Sequence, residues 1–218
     1  MSVNAIIVNR NLLSSLENTV KFLRKESRVK EIHILDQASS YPPLLKWYKT
    51  APETVHYVKS NDGPYSAWSD RYLNIRKDFF ILADPDCDYE GVPDDWLDKM
   101  FNVLNKTDSF KVGFSLRINN LPNTEIGKSA YIHESKYWKN KTEYGWNADV
   151  DTTFALYRPN SPFSYSATRL DEPYCIKHIP WYLDKNNITD EWKYYLENSS
   201  TVSTWGTRLL NELKNPSK

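Results

Sequence analysis

The chain has 218 residues, of which 14% are aromatic and 26% charged, and its 28 basic and 28 acidic residues cancel to a formal net charge of zero. This length suits one α/β domain, and the balanced charge gives no bulk attraction for nucleic acid or an anionic membrane surface. We therefore expect a single domain over residues 1–218, no nucleic-acid partner, and a function that depends on local groups of residues.

The sequence also lacks the patterns of membrane insertion and secretion. No apolar run reaches the roughly 18 to 20 residues of a membrane span, and the N-terminal MSVNAIIVNR has neither a basic leader nor a small-residue cleavage site. We expect a cytoplasmic protein with no membrane span, in which Cys87 and Cys175 are both reduced.

Short apolar runs alternate with helical patterns through the first half of the chain. This alternation is typical of βα units that build a mostly parallel sheet. The predicted strands are AIIVN (5–9), EIHIL (31–35), VHYV (55–58) and FFILA (79–83). The predicted helices lie in LLSSLENTVKFLRK, SSYPPLLKWYKT, YSAWSDRYLNI and VPDDWLDKMFNVL.

The second half has a less regular pattern. FKVGFSLRI (110–118) and TTFALY (152–157) are predicted strands, and one helix is predicted around His133 to Trp138. No repeat, low-complexity tract or linker rich in Gly or Ser divides the chain. The sequence therefore predicts one α/β domain with helices flanking a central sheet.

Polar residues follow each of the four predicted parallel strands. Ligands of open α/β sheets bind outside the carboxyl ends of the strands, so these residues are candidate ligand contacts. A nucleotide along this edge could meet Asp36 and Asn61 at its base or ribose and the later aspartates at its phosphates. The strand-end residues are Asn9, Arg10, Asp36, Gln37, Asn61, Asp62, Gly63, Asp84, Pro85 and Asp86.

Three aspartates, Asp84, Asp86 and Asp88, directly follow the predicted strand FFILA. In a partly buried setting each close pair of carboxylates repels by about 1 kcal/mol or more, so such a cluster calls for a compensating cation. Oxygen ligands favour Mg²⁺ or Mn²⁺, which complete their shells with water and substrate phosphates. A single aspartate here would fit a helix N-cap or a solvated loop, but Asp84 and Asp86 together favour a metal site.

Three kinds of site place acidic residues at alternate positions. A calcium-binding EF-hand loop requires glycine and glutamate where this chain has Tyr89 and Asp95. An aspartyl-phosphate phosphatase would carry its aspartate pair early in the chain, followed by a turn that contains threonine. The third interpretation is the D-x-D motif of nucleotide-sugar glycosyltransferases, in which the ion bridges the diphosphate.

With a D-x-D in this position, the sequence resembles glycosyltransferases of the GT-A type, close to the inverting family 2 group. It is also similar to small glycosyltransferase-like proteins of bacteria and large DNA viruses, including a domain of a multidomain chlorovirus protein. The resemblance is carried by IIVNR, ILDQASSYPPLLKWY, NDGPYSAW, FILADPD, KVGFSLRI, DTTFALYR, HIPWYLD and STWG.

The resemblance implies the GT-A fold, a Rossmann-like, mixed and mostly parallel central sheet flanked by helices. It implies a nucleotide-binding half over residues 1–90 and an acceptor-binding half over residues 91–218. It leaves open that the chain is one domain of a larger multidomain glycosyltransferase, in the host cytoplasm if the protein is viral.

The resemblance also implies residue roles at the donor and metal sites. Asp36 and Asn61 resemble positions that hold uridine, and Arg10 lies near them. Asp86 resembles the metal ligand and Asp84 a ribose or second metal contact. The further candidates are Asn9, Gly63 and Trp68 for the donor, Asp88 and His178 for the metal, Trp181 and Tyr182 for sugar stacking, and Ser200, Ser203 and Thr204 for closure over the phosphates.

An inverting transfer needs a base that removes the proton of the acceptor hydroxyl. WNADVDTTFALYR offers Asp149 and Asp151, and we favour Asp151 because it abuts a predicted strand, while Asp149 remains the alternative. The expected reaction is metal-dependent transfer of a sugar, with glucose or rhamnose as guesses from the resemblance, from a UDP-sugar donor to a hydroxyl of a glycan acceptor.

The sequence departs from family 2 in lacking its common glutamate-aspartate pair and Q-x-x-R-W motif. Two other functions are the alternatives. A sugar nucleotidyltransferase would need a glycine-rich basic loop after the first strand, where NRNLLSSLE has no glycine. A non-catalytic nucleotide- or glycan-binding module is the alternative from another class.

Overall fold

The computed structural model describes residues 1–198 and 204–214 of the chain. Over these residues, twelve strands form a nine-stranded central sheet and a three-stranded small sheet. The central sheet, in spatial order, consists of β3 (Thr54–Val58), β2 (Val29–Gln37), β1 (Val3–Asn9), β4 (Phe80–Ala83), β10 (Phe154–Tyr157), β6 (Lys111–Gly113), β11 (Ser166–Arg169), β9 (Gly145–Asp149) and β8 (Lys141–Thr142).

The first four strands of the chain run parallel, and β10 then runs antiparallel between β4 and β6. Strands β1 and β4 are almost wholly buried, as expected for parallel strands covered on both faces. Because β10 runs in the opposite direction and pairs Phe154 with Ala83, the residues before β10 meet the residues after β4 at one sheet edge. The backbone N–H of Asp84 accordingly donates to the carbonyl of Thr153 at 3.0 Å.

The small sheet lies next to this edge. It consists of β5 (Cys87–Asp88), β12 (Cys175–His178) and β7 (Ser115–Leu116), with β12 in the middle. The pairing of His178 with Cys87 brings a late part of the chain beside the residues that follow β4. This pairing therefore determines where His178 lies.

Helices cover both faces of the central sheet and one end of it. They are α1 (Ser14–Arg24), α2 (Pro42–Tyr48), α3 (Leu73–Arg76), α4 (Trp96–Lys106), α5 (Glu125–Glu134), α6 (Asp190–Glu197) and α7 (Thr204–Lys214). The carboxylate of Glu191 in α6 accepts hydrogen bonds from the backbone N–H groups of Leu13 and Ser14, both at 2.7 Å, and thereby caps the start of α1. None of the helices in the described ranges has the length and apolar character that a membrane crossing demands.

The predicted α/β architecture is confirmed, and the four parallel strands are present with small changes of boundary. Three predicted elements differ. The helix predicted around His133 to Trp138 lies mostly earlier in the chain, as α5, which ends at Glu134 and is followed by a 3-10 turn over Ser135–Tyr137. YSAWSDRYLNI is not one helix, because Ser69 adopts an extended conformation between two 3-10 turns. FKVGFSLRI is divided between the two sheets, as β6 and β7. The sequence analysis also missed β5, β8, β9, β11, β12, α6 and α7.

Candidate active site

A cavity of about 400 Å³ opens at the carboxyl ends of β1 and β4. Its walls come from the strand ends, the segment before β10, helix α5 and the two C-terminal helices. The sequence-predicted site residues that line it are Asn9, Arg10, Asn61, Gly63, Asp84, Asp86, Asp151, His178 and Thr204. Most of the predicted site residues are therefore brought together, from six separate parts of the chain.

Asp84 lies at the floor of the cavity, directly after the buried strand β4. Its Oδ2 accepts a hydrogen bond from the hydroxyl of Thr152 at 2.8 Å. Burial raises the pKa of Asp84 well above its usual range, and the negative charges of Asp86 and Asp151 raise it further. The charges of Asp86 and Asp151 thus oppose the ionisation of Asp84.

Asp86 and His178 form a contact at the junction of the two sheets. The imidazole Nε2 of His178 lies 3.3 Å from Oδ2 of Asp86, and the backbone N–H of Ile179 donates to the carbonyl of Asp86 at 2.8 Å. Burial alone would lower the pKa of His178, but the charge of Asp86 and its hydrogen bond raise it above the usual value. Oδ1 of Asp86 and Nδ1 of His178 are buried, and neither has a hydrogen-bond partner among the described residues.

The chemistry of these side chains fits a divalent cation. A buried carboxylate oxygen without a partner, beside a second carboxylate and an imidazole, offers the donors that Mn²⁺ or Mg²⁺ accepts. Within residues 1–198 and 204–214, no three His, Cys, Asp or Glu side chains are gathered as a complete ligand set. Asp86 is consequently the clearest protein donor, and most of the shell would come from water and substrate oxygens.

Asp151 lies in the segment between β9 and β10 and lines the cavity. Its Oδ1 accepts hydrogen bonds from the backbone N–H of Thr153, at 3.0 Å, and from the hydroxyl of the same residue. Both bonds engage one oxygen, which leaves Oδ2 for another role. Asp149 is the exposed last residue of β9, where it pairs with Ser166, and it is not among the residues that line the cavity.

Lys111 holds the backbone of the Asp151 segment through hydrogen bonds. This lysine of β6 is completely buried, and its ammonium donates to the carbonyls of Val150 and Asp151, the latter at 3.2 Å, and to the hydroxyl of Tyr157 at 3.1 Å. Burial lowers the pKa of Lys111 to about 8. The backbone that carries Asp151 is therefore held by a buried cation.

Asp36 and Asn9, predicted as donor contacts, belong to a buried hydrogen-bond chain. The side-chain amide of Asn9 donates to the hydroxyl of Tyr48 at 2.9 Å, and that hydroxyl donates to Oδ1 of Asp36 at 3.0 Å. Oδ2 of Asp36 accepts from the backbone N–H of Ser39 at 3.1 Å, and the residue is only 2% exposed. The structure thus gives Asp36 protein partners at both oxygens and places it outside the cavity lining, whereas Asn9 borders the cavity.

Asp88 and Trp68 lie away from the cavity. Asp88 pairs with Lys177 across the small sheet at 3.5 Å and faces a separate cavity of about 690 Å³ beside α1. Trp68 packs against Tyr157 and Phe163, with ring centroids 5.6 Å and 5.0 Å away, and is not a cavity residue. Trp68 is therefore a packing residue in this structure and not one of the cavity residues predicted for the donor.

Several cavity residues were missed by the sequence analysis. Trp205 and Arg208 of α7 line the wall, and the guanidinium of Arg208 lies 5.3 Å from the centre of the Trp205 ring. Arg10, which was predicted, donates to the carbonyl of Gln37 at 2.5 Å and brings another positive charge. Ser200 and Ser203 lie outside the described residues. Trp205 and Arg208 are spaced three apart in TWGTR, and on a helix this spacing places two side chains on the same face. A helix prediction for the C-terminal segment would therefore have placed them together.

No protein-family model matches the sequence, and no curated protein matches it significantly. Among solved structures, the chain is similar to a mannosyltransferase from Pyrobaculum calidifontis in complex with GDP-mannose and Mn²⁺, with 14% identity and a TM-score of 0.54 over 89% of this chain and 59% of that one. The chain thus spans less than two thirds of that mannosyltransferase.

Two further structures illustrate the range of similar proteins. One is glucosyl-3-phosphoglycerate synthase from Mycobacterium tuberculosis with Mn²⁺, UDP and glucosyl-3-phosphoglycerate, at 11% identity and a TM-score of 0.43 over 72% of this chain and 57% of that one. The other is 4-diphosphocytidyl-2C-methyl-D-erythritol synthase from Anaerococcus prevotii, at 10% identity and a TM-score of 0.41 over 100% of this chain and 86% of that one. Likeness at such identity concerns architecture rather than activity. From its mixed, mostly parallel sheet and its likeness to the mannosyltransferase, the chain has the GT-A fold of nucleotide-diphospho-sugar transferases.

Proposed function

We propose that this protein is a metal-dependent, inverting glycosyltransferase that transfers a sugar from a UDP-sugar to a hydroxyl of an acceptor glycan. The observation that carries the proposal is the meeting of Asp84, Asp86, Asp151 and His178 at one cavity beyond the carboxyl ends of the strands. Folding alone does not require three carboxylates in one place, and their mutual repulsion argues for a positively charged ligand.

The donor would bind along the strand ends. Asp86, with Asp84 and His178 beside it, would hold Mn²⁺ or Mg²⁺, and the ion would supply Lewis-acid stabilisation of the departing diphosphate. Arg10 and Arg208 offer positive charge at the cavity wall for the same phosphates. The complex of the Pyrobaculum mannosyltransferase with GDP-mannose and Mn²⁺ supports a nucleotide-sugar donor, and the resemblance to family 2 enzymes supports UDP, with glucose or rhamnose as the sugar.

Asp151 is the proposed base. As the acceptor oxygen forms its bond to the anomeric carbon, the hydroxyl proton passes to Oδ2 of Asp151, and the bond between that carbon and the diphosphate oxygen breaks to release UDP. The two hydrogen bonds from Thr153 orient the carboxylate through its other oxygen. Asp149, which does not line the cavity, is the less favoured candidate.

In this proposal, residues 1–90 contain the nucleotide-binding half of the domain, and residues 91–218 contain the base and the acceptor-binding half. The likeness of short segments to the multidomain chlorovirus protein supports a role in glycan synthesis in the cytoplasm. It also supports a place for this domain within a larger glycosyltransferase.

Isothermal titration with UDP, with and without Mn²⁺, tests the donor site. UDP should bind with Mn²⁺ present and lose its affinity when EDTA is added. A panel of nucleotide sugars then identifies the donor by metal-dependent turnover. UDP affinity that is indifferent to EDTA, or turnover only of a nucleoside triphosphate with a sugar phosphate, would contradict the transferase proposal.

Asp151→Asn tests the base, with Asp149→Asn as its matched control. Asp151→Asn should leave UDP affinity with Mn²⁺ within about threefold and lower turnover by about 10² to 10⁴, the usual contribution of a general base. Asp149→Asn should retain most of the activity, because that carboxylate lies outside the cavity lining. Full turnover by Asp151→Asn would reassign the base.

A further inference from the structure

Two exposed tyrosines stand at the mouth of the cavity and have no role in the steps described above. Tyr65 and Tyr165 are 45% and 46% exposed, yet their hydroxyl oxygens lie only 2.6 Å apart. They come from distant segments, the loop after β3 and the residues before β11. Aromatic faces that stay exposed beside a cavity are typical of ligand-binding surfaces, since each ring offers an apolar face and a polar tip.

The two rings are held from behind by a third aromatic residue. The ring centroid of Phe163 lies 4.6 Å from that of Tyr65 and 4.9 Å from that of Tyr165, with edge-to-face geometry in both contacts. Trp68 supports Phe163 in turn, with a centroid distance of 5.0 Å. The tyrosine pair is therefore fixed before any ligand arrives, which lowers the entropy cost of binding.

The pair lies directly beside the candidate base. Tyr65 lines the same cavity as Asp84 and Asp151, and the carbonyl of Tyr165 accepts a hydrogen bond at 2.8 Å from the backbone N–H of Val150, one residue before Asp151. The hydrogen bond between Tyr65 and Tyr165, burial, and the charges of Tyr165, Asp151 and Asp84 together raise the pKa of Tyr65 to about 12. Tyr65 and Asp151 thus line the same cavity, and Tyr165 contacts Tyr65 through its hydroxyl.

We propose that Tyr65 and Tyr165 form an acceptor-sugar subsite, in which the apolar C–H face of a pyranose ring packs on the phenol rings and one sugar hydroxyl reaches Asp151. This inference rests on the proposed glycosyltransferase function. The uracil of the donor is the rival occupant, because nucleobases also stack on aromatic rings. The backbone hydrogen bond between Tyr165 and Val150 favours the acceptor, because it ties the segment that carries Tyr165 to the residue just before the candidate base.

Saturation-transfer NMR on the full chain tests the subsite, with UDP and Mg²⁺ present. The probes are methyl β-D-glucopyranoside, methyl α-D-mannopyranoside and methyl α-L-rhamnopyranoside. The variants are Tyr65→Ala and Tyr165→Ala, which remove the ring faces, and Tyr65→Phe and Tyr165→Phe, which keep them. Tyr131→Ala is the matched control, because Tyr131 is 55% exposed on α5 and is not a cavity residue.

We expect at least one pyranoside to bind the wild type and each alanine variant to weaken that binding by about tenfold, which corresponds to about 1.4 kcal/mol. The phenylalanine variants and the control should stay within about threefold of the wild type, and they keep the test valid if an alanine variant folds poorly. The subsite is refuted if no probe binds the wild type, if the alanine variants bind as well as the wild type, or if the phenylalanine variants lose as much affinity as the alanine variants.

A titration of UDP into the same samples separates this inference from the proposed function. UDP affinity should be equal in all variants, and a tenfold loss confined to the alanine variants would assign the rings to the donor base and overturn the acceptor subsite. Absence of UDP binding to the wild type would count against the transferase proposal, whatever the pyranosides do. Binding of UDP with pyranoside binding that ignores both rings would leave the transferase standing and remove the subsite.

Discussion

Replacement of the buried Lys111 by methionine is the most direct test of how the site is supported. The pKa of this lysine is about 8, against an ordinary value of 10.5, so the folded protein binds fewer protons than the unfolded chain between those pH values. Each pKa unit between the folded and unfolded states corresponds to about 1.4 kcal/mol, so burial of the charged ammonium lowers the free energy of unfolding by about 3 kcal/mol at pH 7. That cost declines as the pH rises from 8 towards 10.5, so this residue makes the protein more stable at alkaline pH.

The measurement compares urea unfolding of the wild type and Lys111→Met at pH 7, 8, 9 and 10. The stability of the wild type should rise relative to the variant by about 2 kcal/mol over this range, because only the wild type has the lysine to deprotonate. At pH 7 the variant escapes the cost of the buried charge but leaves the carbonyls of Val150 and Asp151 and the hydroxyl of Tyr157 without their donor, at about 1 to 3 kcal/mol each. The two effects oppose each other, so the variant should be less destabilised at pH 7 than the loss of these hydrogen bonds alone would make it.

Lys185→Met is the control, since Lys185 is exposed. Its free energy of unfolding should change with pH in the same way as that of the wild type. If the free energies of unfolding of Lys111→Met and the wild type changed equally with pH, the claim that burial lowers the pKa of Lys111 would be refuted. In the transfer reaction, Lys111→Met should lower turnover without changing UDP affinity, because it loosens the backbone that carries Asp151 rather than the strand ends.

Three further changes test other parts of the structure. Glu134→Leu leaves Arg169 as a buried, unpaired cation. It should lower the free energy of unfolding by about 3 to 5 kcal/mol and the melting temperature by roughly 6 to 20 °C. The double variant Glu134→Leu with Arg169→Met should recover much of this loss of stability. Asp86→Asn should stabilise the metal-free protein, because it relieves the repulsion that raises the pKa of Asp84. In the wild type, Mn²⁺ at 100 times its Kd should add about 2.7 kcal/mol to the free energy of unfolding and so raise the melting temperature. Asp86→Asn should abolish that rise. Gly145→Ala should destabilise by at least about 2 kcal/mol in urea unfolding, because the added Cβ would lie 2.1 Å from the carbonyl oxygen of Arg169 at a φ of +136°.

Each of these has an outcome that would contradict it. An unchanged melting temperature for Glu134→Leu would show that the buried ion pair adds no stability. A normal Mn²⁺ response of Asp86→Asn would move the metal away from that carboxylate. Wild-type stability of Gly145→Ala would mean that β9 and β11 can separate at this point without cost.

The sequence was informative about the strand ends because the physical signal there is local. Asp84 and Asp86 follow an uninterrupted apolar run, so both the strand and the charged edge could be predicted from adjacent residues. The same is true of Asp151, which precedes β10. That these carboxylates meet could be inferred only through a fold resemblance, since it depends on β10 lying antiparallel beside β4.

Other parts of the site depend on long-range pairing that no local pattern contains. His178 reaches Asp86 because β12 pairs with β5, two strands too short to give a periodic signal. FKVGFSLRI has the composition of one strand, yet its two halves join different sheets. Asp36 lies at a strand end, where a ligand contact is expected. However, the hydroxyl of Tyr48, twelve positions later in the sequence, donates a hydrogen bond to one of its carboxylate oxygens.

The carboxylate of Glu191 joins an early and a late segment of the chain beside the candidate active site. It holds the backbone of Leu13 and Ser14 just beyond the loop that carries Arg10, while the helix to which it belongs packs with α7, which brings Trp205 and Arg208. The late helices are therefore fastened to the opening turn of the chain, and shortening the protein before Glu191 would remove one side of the cavity and uncap the first helix together. Ligand binding and the integrity of the N-terminal turn should consequently be lost as a single event.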